Sequence, residues 1–255
     1  MLEAVHLTKR YSSLPAVQNL SFSVRPGQIL GCLGPNGSGK STTVKMLTGL
    51  LQPTRGTVQF DGHNIQDDLK AYRKCLGYVP EEAHLYPYLS GWEYLEMIGT
   101  LRGMRDSELA KKIDSLLELF SLHPHRHATM GTYSKGMRQR ILLIAAIMHN
   151  PDIFIFDEPL SGLDVTSALI FKNLVQALGR NDKLVFYCSH VLEVVEKVCS
   201  DVLILRKGVV IAQDSVTNIG QTLGQSLENT FLHLVDEVDT ISVARDIMDV
   251  MRMSA

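Results

Sequence analysis

The sequence predicts an α/β fold with a mainly parallel central sheet, an antiparallel β-subdomain near the N-terminus and an inserted α-helical subdomain. Short apolar strands alternate with helical patterns along much of the chain, which is typical of βαβ units. Polar and apolar residues alternate in "VHLTKRY" and "NLSFSVRPGQ", with a turn at Pro26-Gly27, as in half-buried strands. Helical spacing dominates about residues 85–149, where we place the helical subdomain.

The elements of the first half follow in order from these patterns. The short apolar segment "QILGCLG" predicts a strand that enters a glycine-rich loop, "STTVKMLTGLL" predicts a helix, and "GTVQFDG" predicts a second strand. In "SELAKKIDSLLELF" the apolar side chains share one helical face, which we interpret as core packing: Leu109, Ile113, Leu116, Leu117 and Phe120. Residues 137–149 are apolar nearly all round and predict a buried helix.

The second half returns to alternating strands and helices. "DIFIFDEP" predicts a buried strand, and a helix follows over residues 165–178, closed by Gly179 in the C′ position. "KLVFYCSH" predicts another strand, and "DVLILRKGVVIA" predicts a hairpin across Lys207-Gly208. We expect one domain over residues 1–212 and a short extension over residues 213–255.

Composition limits the classes of function. The 255 residues are 45% hydrophobic and 20% charged, as in an ordinary globular protein, and the net charge of −2 supplies no overall positive field for nucleic acid. The four cysteines are scattered without a CxxC pair, which favours buried thiols over zinc or disulfides. We expect no signal peptide and no membrane span, because no apolar segment approaches about 18 residues.

A phosphate-binding loop is the most specific local signal. "GPNGSGKS" fits G-x-x-x-x-G-K-[ST] and lies between a predicted strand and a predicted helix, a context that disfavours a chance glycine turn. It predicts a P-loop NTPase. We expect Lys40 to contact the β- and γ-phosphates, Ser41 to coordinate Mg²⁺, and Thr42 to donate a hydrogen bond to a phosphate that precedes the γ-phosphate. The expected ligands are therefore ATP and Mg²⁺. The binding residues are Gly34, Pro35, Asn36, Gly37, Ser38, Gly39, Lys40, Ser41 and Thr42.

Acidic and imidazole groups follow two further predicted strands. Asp157 and Glu158 end "IFIFDE", where parallel sheets bind ligands, so we expect Asp157 to hold Mg²⁺ through water and Glu158 to act as the general base. The alternative for both carboxylates is a solvated loop. His190 follows "LVFYCS" at another strand end, where it is either a sensor of the γ-phosphate or a structural histidine.

Five segments together resemble the ATP-binding cassette (ABC) ATPases. "GPNGSGKST", "YSKGMRQR", "IFIFDEP", "SGLD" and "CSH" have the order and approximate spacing of that family, from about Leu2 to Ala212. In that family two cassettes pack head to tail, and the signature motif of one completes the ATP site of the other. The resemblance therefore implies a second ABC ATPase subunit as a partner, either another copy or a paralogue.

The segment "YSKGM" stands at the signature motif. The resemblance implies that Ser134 and the backbone of Gly136 contact the γ-phosphate held by the opposite P-loop. A hydroxyl and free N–H groups at a helix N-terminus suit an anion. Tyr133, Lys135 and Met137 depart from the usual leucine, glycine and glutamine, and Lys135 adds a positive charge that would reinforce the anion site. A basic patch for nucleic acid is the less favoured interpretation.

The remaining site residues also come from the resemblance. Tyr11 lies where an aromatic side chain stacks on adenine, with simple packing on a strand as its alternative. Asp164 in "SGLD" falls in the loop that contacts the partner cassette. Glu81 occupies a position where the family usually has a glutamine that contacts Mg²⁺ and faces the membrane partner, so its carboxylate is a third candidate metal ligand.

The variants "GYVPEEAHLYPYLSGWEYLE" and "YSKGMRQR" resemble those of bacterial exporter ATPase subunits. The resemblance implies a multi-span membrane permease as partner and a cytoplasmic place on the inner face of the membrane. The expected dock is the aromatic loop of residues 81–90 together with the helical segment after it, unless Tyr86, Tyr88 and Trp92 fill the groove between subdomains. A soluble ABC ATPase acting on nucleic acid or ribosomes is the alternative function, whereas a small-molecule kinase leaves "YSKGM" and "SGLD" unexplained.

Overall fold

The computed structural model describes residues 1–83 and 85–222, together with Arg245, Ile247, Met248 and Met251. The strands are β1 (Leu2–Arg10), β2 (Pro15–Val24), β3 (Ile29–Leu33), β4 (Arg55–Phe60), β5 (His63–Asn64), β6 (Leu76–Val79), β7 (Ile153–Asp157), β8 (Leu184–Cys188), β9 (Asp201–Arg206) and β10 (Val209–Ser215). The helices are α1 (Lys40–Leu47), α2 (Leu69–Lys74), α3 (Gly91–Leu101), α4 (Asp106–Leu119), α5 (Lys135–Ile147), α6 (Val165–Arg180), α7 (Leu192–Val198) and α8 (Val216–Thr222). The predicted α/β class is confirmed.

The antiparallel β-subdomain is a four-stranded sheet in the order β2-β1-β4-β5. Leu2, Ala4 and Leu7 of β1 are buried against the core, so the buried positions alternate up to Ala4 and then skip one residue before Leu7. The register of β1 against both neighbours shifts near His6, whose φ of 51° marks a bulge.

The central sheet has six strands in the order β10-β9-β3-β8-β7-β6. Five are parallel, and β10 is antiparallel to β9 across a tight turn with positive φ at Lys207 and Gly208, so the predicted hairpin is confirmed. Every residue of β3, β7 and β8 is buried, because the antiparallel sheet and α1 cover one face of this part of the central sheet and α5, α6 and α7 cover the other. The carboxyl ends of these strands therefore meet at one edge, which carries the P-loop, Asp157 and His190.

The helical subdomain packs α3, α4 and α5 around a core of its own. Ser90 and Glu93 form a reciprocal capping box that begins α3. On α4, Leu109, Ile113 and Leu117 are buried, and the other members of the predicted stripe are partly buried at its edge. The core interpretation of this stripe is therefore confirmed.

One predicted helix boundary is wrong. The helix predicted to close at Gly179 continues to Arg180, because Gly179 lies inside α6, where a Cβ would meet Ile29 Cδ1 at 3.0 Å. Close packing against β3 explains this glycine, and the residue with positive φ after the helix is Asp182. The boundary at residue 213 falls inside β10, whose exposed polar residues Gln213 and Asp214 still pair with β9.

In the C-terminal extension, "LENTFLHLV" at residues 227–235 resembles the short helix that ends exporter cassettes, and "SVARDIMDVMRM" at residues 242–253 predicts either an amphipathic helix or a disordered end. Residues 227–235 lie outside the described residues. Of residues 242–253 the structure describes Arg245, Ile247, Met248 and Met251, which are helical.

Candidate active site

The P-loop joins the end of β3 to the beginning of α1. Gly37 and Gly39 have φ values of 79° and 104°, which favour glycine. Gly34 and Gly39 are also restricted by close backbone approach, because added Cβ atoms would lie 2.4 Å from Leu205 O and 2.8 Å from Ala16 O, respectively. The loop therefore requires glycine for contact with its own protein as well as for access by a phosphate.

Lys40 lies across the loop that it follows. Its Nζ donates hydrogen bonds to Gly34 O at 2.6 Å and Pro35 O at 3.1 Å, and the residue is 9% exposed. Within the described residues this ammonium is hydrogen-bonded to neutral carbonyls and forms no salt bridge with a carboxylate, so a phosphate would be its anionic partner. The Ser38 hydroxyl nearby is buried without a hydrogen-bond partner among the described residues.

A cavity of about 420 Å³ lies between the P-loop and the carboxyl ends of the strands. It is lined by Ala16, Asn36, Gly37, Gly39, Lys40, Ser41, Thr42, Glu81, Asp157, Glu158 and His190. It thus brings together the predicted phosphate, metal and catalytic groups from four separate parts of the chain. The other predicted site residues do not line it: Tyr11, Gly34, Pro35, Ser38, Ser134, Gly136 and Asp164.

Asp157 is the last residue of β7 and is 5% exposed. Burial, followed by repulsion from Glu81 and Glu158, raises the pKa of its carboxyl to about 6, although Lys40 and Lys45 act in the opposite direction. A divalent cation beside Asp157 would relieve this repulsion. Oxygen donors from Ser41, Asp157 and Glu81 line one cavity and suit Mg²⁺.

No group of three or more His, Cys, Asp or Glu side chains within the described residues forms a ready metal cluster. This arrangement still fits Mg²⁺ in an NTPase, because that ion is bound by one or two protein oxygens and otherwise by substrate phosphates and water. The residues present therefore fit Mg²⁺ bound together with a nucleotide.

Glu158 begins the loop after β7 with a φ of 47°, which is uncommon for a residue with a side chain. Its N–H donates to Cys188 O at 3.1 Å, so its backbone is tied to the neighbouring strand β8. Its carboxylate is held at both oxygens: Oε1 lies 2.8 Å from His190 Nδ1, and Oε2 accepts a hydrogen bond from Ser189 Oγ at 3.3 Å. The Glu158 side chain is 13% exposed, whereas that of His190 is 70% exposed and free to meet a ligand.

The segment "YSKGM" forms the N-terminus of α5. Ser134 is the N-cap, is exposed, and accepts a hydrogen bond from Met137 N–H at 3.2 Å. The side chain of Lys135 has a partner on the protein, since its Nζ donates a hydrogen bond to Ser161 Oγ at 2.8 Å. The signature segment is thereby joined to the loop that begins with Glu158.

Asp164 and Tyr11 lie apart from the cavity lining. Asp164 is the exposed N-cap of α6, and the hydrogen bonds that it accepts from Ser167 lower the pKa of its carboxyl. Tyr11 is 63% exposed, and Lys9 Nζ lies 5.7 Å from the centroid of its ring. Glu81 is exposed and does line the cavity.

Comparison with known proteins establishes the family. A family model described as "ABC transporter" matches residues 17–161. The chain belongs to the ABC transporter family. It is 33% identical over 205 residues to the ABC transporter ATP-binding protein NatA of Bacillus subtilis, covering 80% of this chain and 83% of NatA. It is 35% identical over 224 residues to the linearmycin resistance ATP-binding protein LnrL of the same organism, covering 88% and 72%.

Solved structures of ABC cassettes have the same fold. A structure of an ATP-binding subunit of an ABC transporter superposes with a TM-score of 0.86 at 28% identity, covering 92% of this chain and 99% of that one. The dimeric ABC cassette MJ0796 bound to ADP and Pi superposes with a TM-score of 0.78 at 24% identity, covering 84% and 98%. The family model and the curated relatives identify the chain as the ATPase cassette of an ABC transporter. No helix among its described residues is long and apolar enough to cross a membrane.

Sequence reasoning missed three residues around this site. Ala16 lines the cavity, Ser189 binds the Glu158 carboxylate, and Gln139 donates from α5 to Pro159 O at 3.0 Å. Ala16 carries no chemical signal. Ser189 and Gln139 are buried polar residues, and a buried polar side chain requires a specific partner. Ser189 follows the apolar run "LVFYC", so its polarity was an available signal, whereas Gln139 lies between Arg138 and Arg140 and its polarity does not single it out.

Proposed function

We propose that this cassette hydrolyses Mg²⁺-ATP with Glu158 as the general base, and that it works as a head-to-tail dimer that powers a separate export permease. Glu158 would accept a proton from the attacking water while Lys40 and the P-loop N–H groups hold the phosphates. Ser41 and Asp157 would hold Mg²⁺, with Glu81 beside them. Bound there, Mg²⁺ supplies charge neutralisation at the phosphate oxygens.

The separation between the two groups of site residues carries the proposal for a dimer. The P-loop, Glu158 and His190 line one cavity, while Ser134, Gly136 and Asp164 do not line it. Ser134 is exposed at a helix N-terminus, where N–H groups and the helix dipole favour an anion. A second cassette in head-to-tail arrangement would place this terminus on the opposite ATP, as the resemblance implies. The cassette MJ0796, which has this fold, is dimeric in its solved structures, and this supports a dimer.

Export by a membrane permease is supported by the relatives and by one exposed surface. LnrL is named as a linearmycin resistance protein, and resistance to a compound is consistent with its export. Tyr86 and Tyr88 are 61% and 90% exposed, so they do not fill a groove inside this chain. They lie in the loop between β6 and α3, which begins at the cavity with Glu81. This loop suits a permease dock on the inner face of the membrane.

Light scattering tests the dimer. In the Glu158→Gln background, which should bind ATP without hydrolysing it, saturating ATP should convert the cassette from monomer to dimer. Adding Ser134→Arg should block this conversion, because the bulk would meet the opposite nucleotide, while binding of ATP to the monomer persists. Ser107→Arg on the exposed surface of α4 is the matched control and should still dimerise. Retention of the ATP-dependent dimer in the Ser134→Arg variant would contradict the proposed arrangement.

A membrane pull-down separates the permease from the alternative of nucleic acid or ribosomes. The full chain, tagged and expressed in its native host, should be recovered with the membrane fraction together with a multi-span protein. Recovery with ribosomes or nucleic acid instead would favour the soluble class.

A further inference from the structure

Ser189 occupies the position between the last residue of β8 and His190. It is 3% exposed, although it lies next to a histidine whose side chain faces solvent. Its Oγ lies 3.3 Å from Glu158 Oε2 and 3.1 Å from the backbone nitrogen of Val191. The roles assigned to the ABC motifs above leave this buried hydroxyl without a function.

The two hydrogen bonds of Ser189 determine where its proton lies. A hydroxyl has one proton and two lone pairs. The N–H of Val191 donates to the oxygen, so one lone pair is used and the single proton points to the Glu158 carboxylate. Because Ser189 is buried, water does not compete for this proton. Ser189 therefore presents a directed donor to one oxygen of Glu158.

The second oxygen of Glu158 is held by the next residue of the same strand end. His190 Nδ1 lies 2.8 Å from Oε1, and Cys188 O accepts the N–H of Glu158. The backbone N–H and both carboxylate oxygens of Glu158 are thus held by three consecutive residues: Cys188 at the end of β8, and Ser189 and His190 directly after it. The side chain of His190 is 70% exposed and lines the cavity, whereas Ser189 is buried and shielded from a ligand.

We propose that Ser189 is a positioning residue for ATP hydrolysis, which orients the Glu158 carboxylate toward the attacking water through its hydroxyl. The inference rests on the proposed role of Glu158 as general base. A carboxylate fixed at one oxygen can rotate about its last torsion, which is broad, whereas a carboxylate fixed at both oxygens cannot. A small displacement of a catalytic group from its productive position lowers the reaction rate strongly. Ser189 acts through Glu158 and does not itself contact ATP.

Ser189→Ala tests the proposal in the full chain with Mg²⁺-ATP. We expect kcat to fall about tenfold, since loss of one hydrogen bond to a charged group is worth a factor of this order, while KM changes less than about twofold. Ser189→Thr retains the hydroxyl and should restore kcat to within about threefold of the parent. A structural role would instead lower the unfolding midpoint and weaken ATP binding together with kcat.

Ser200→Ala is a matched control. Ser200 Oγ also accepts a backbone N–H, from Ile29 at 3.2 Å, and its proton has two acceptors within reach, Asp201 Oδ2 at 2.6 Å and Ile29 O at 3.2 Å. It lies at the opposite end of β3 from the P-loop, so its loss should leave kcat unchanged. Equal losses of kcat in Ser189→Ala and Ser200→Ala would overturn the proposal.

A double-mutant cycle with Glu158→Gln separates this inference from the proposed function. If Ser189 acts through Glu158, adding Ser189→Ala to Glu158→Gln should lower the residual single-turnover rate by less than about twofold. Near-normal turnover of Glu158→Gln alone would remove the proposed base. If Glu158→Gln is inactive but Ser189→Ala has a normal kcat, only the positioning role of Ser189 is overturned. The same follows if Ser189→Ala lowers the rate tenfold both in the parent and in the Glu158→Gln variant.

Discussion

The side-chain amide of Gln139 donates a hydrogen bond to the main-chain carbonyl of Pro159 over 3.0 Å, and Gln139 is 1% exposed. Gln139 lies one turn into α5, and Pro159 follows Glu158. The Lys135–Ser161 hydrogen bond forms a second link between the same two segments. The signature helix of the cassette is therefore fixed to the loop that carries its own candidate base.

Gln139→Leu should destabilise the cassette by about 1–3 kcal/mol, because the leucine keeps most of the volume but leaves the buried Pro159 carbonyl without a donor. Denaturant unfolding measures the change. Gln176→Leu is the matched control, since Gln176 donates to Lys197 O on the exposed surface. There water can replace the lost donor, so the change should stay within about 0.5 kcal/mol. Equal losses in both variants would contradict a specific role for the buried link.

Removal of the Tyr187 hydroxyl should not destabilise the protein. Tyr187 is 1% exposed in the central sheet, and its hydroxyl has no hydrogen-bond partner within the described part of the chain. Tyr187→Phe should therefore be neutral or stabilising by up to about 1 kcal/mol. Tyr72→Phe is the comparison, because the Tyr72 hydroxyl donates to Leu47 O at 2.7 Å, and its loss should cost about 1–2 kcal/mol. A larger loss for Tyr187→Phe than for Tyr72→Phe would contradict this assignment.

The sequence predicts an element correctly where the residues that determine it are neighbours in the chain. The P-loop follows from eight consecutive residues, and the buried strand "IFIFD" follows from its continuous apolar run, so both were located from the sequence. Gly179 was assigned to a helix end because glycine is common there. The reason for this glycine is a contact with Ile29 of a distant strand, which no local pattern contains.

Prediction of the candidate site from the sequence is limited in the same way, by contacts between distant segments. Asp157 and Glu158 were predicted from their place after a strand, but the hydroxyl of Ser189 comes from a strand some thirty residues later. Only the parallel pairing of β7 with β8, which sets Asp157 opposite Cys188, brings Ser189 to Glu158. Lys135 was assigned to an anion site from its charge, and its contact with Ser161 depends on the packing of α5 against the loop after β7.

His149 should make the cassette sensitive to acid. Burial, helped by the nearby charge of Arg102, lowers the pKa of its imidazole from 6.5 to about 4, and its Nε2 lies 3.1 Å from Leu76 O. Because the folded state disfavours the proton, the unfolded state binds it first as the pH falls below about 6.5. Stability linked to His149 is therefore present above pH 6.5 and is lost as the pH falls through about 4.

Denaturant unfolding between pH 7.5 and pH 4.5 measures this effect as a difference between variants. His149→Gln keeps a donor for Leu76 O but does not titrate, so it should lose less stability over this range than the parent does. Parallel pH profiles of the two proteins would show that His149 does not contribute.

Tyr86 and Tyr88 should serve the membrane partner and not the fold. Their exposure predicts that the double substitution by serine leaves the unfolding midpoint and the ATPase rate of the isolated cassette nearly intact. In cells it should uncouple transport and release the cassette from membranes. Trp92→Ser is the contrasting variant, because Trp92 packs against the helical core and should lower the midpoint. A double variant that loses folding and basal ATPase would place both tyrosines in the core.

Steady-state phosphate release from Mg²⁺-ATP by Glu158→Gln, measured together with its affinity for ATP, tests whether Glu158 is the general base. The amide keeps the shape of the carboxylate but cannot accept the proton. We predict that turnover falls by at least about 100-fold while ATP affinity changes less than about threefold. Glu193→Gln, which removes an exposed carboxylate from α7, should have normal turnover. Turnover of Glu158→Gln within about threefold of the parent would contradict the assignment of Glu158 as the general base.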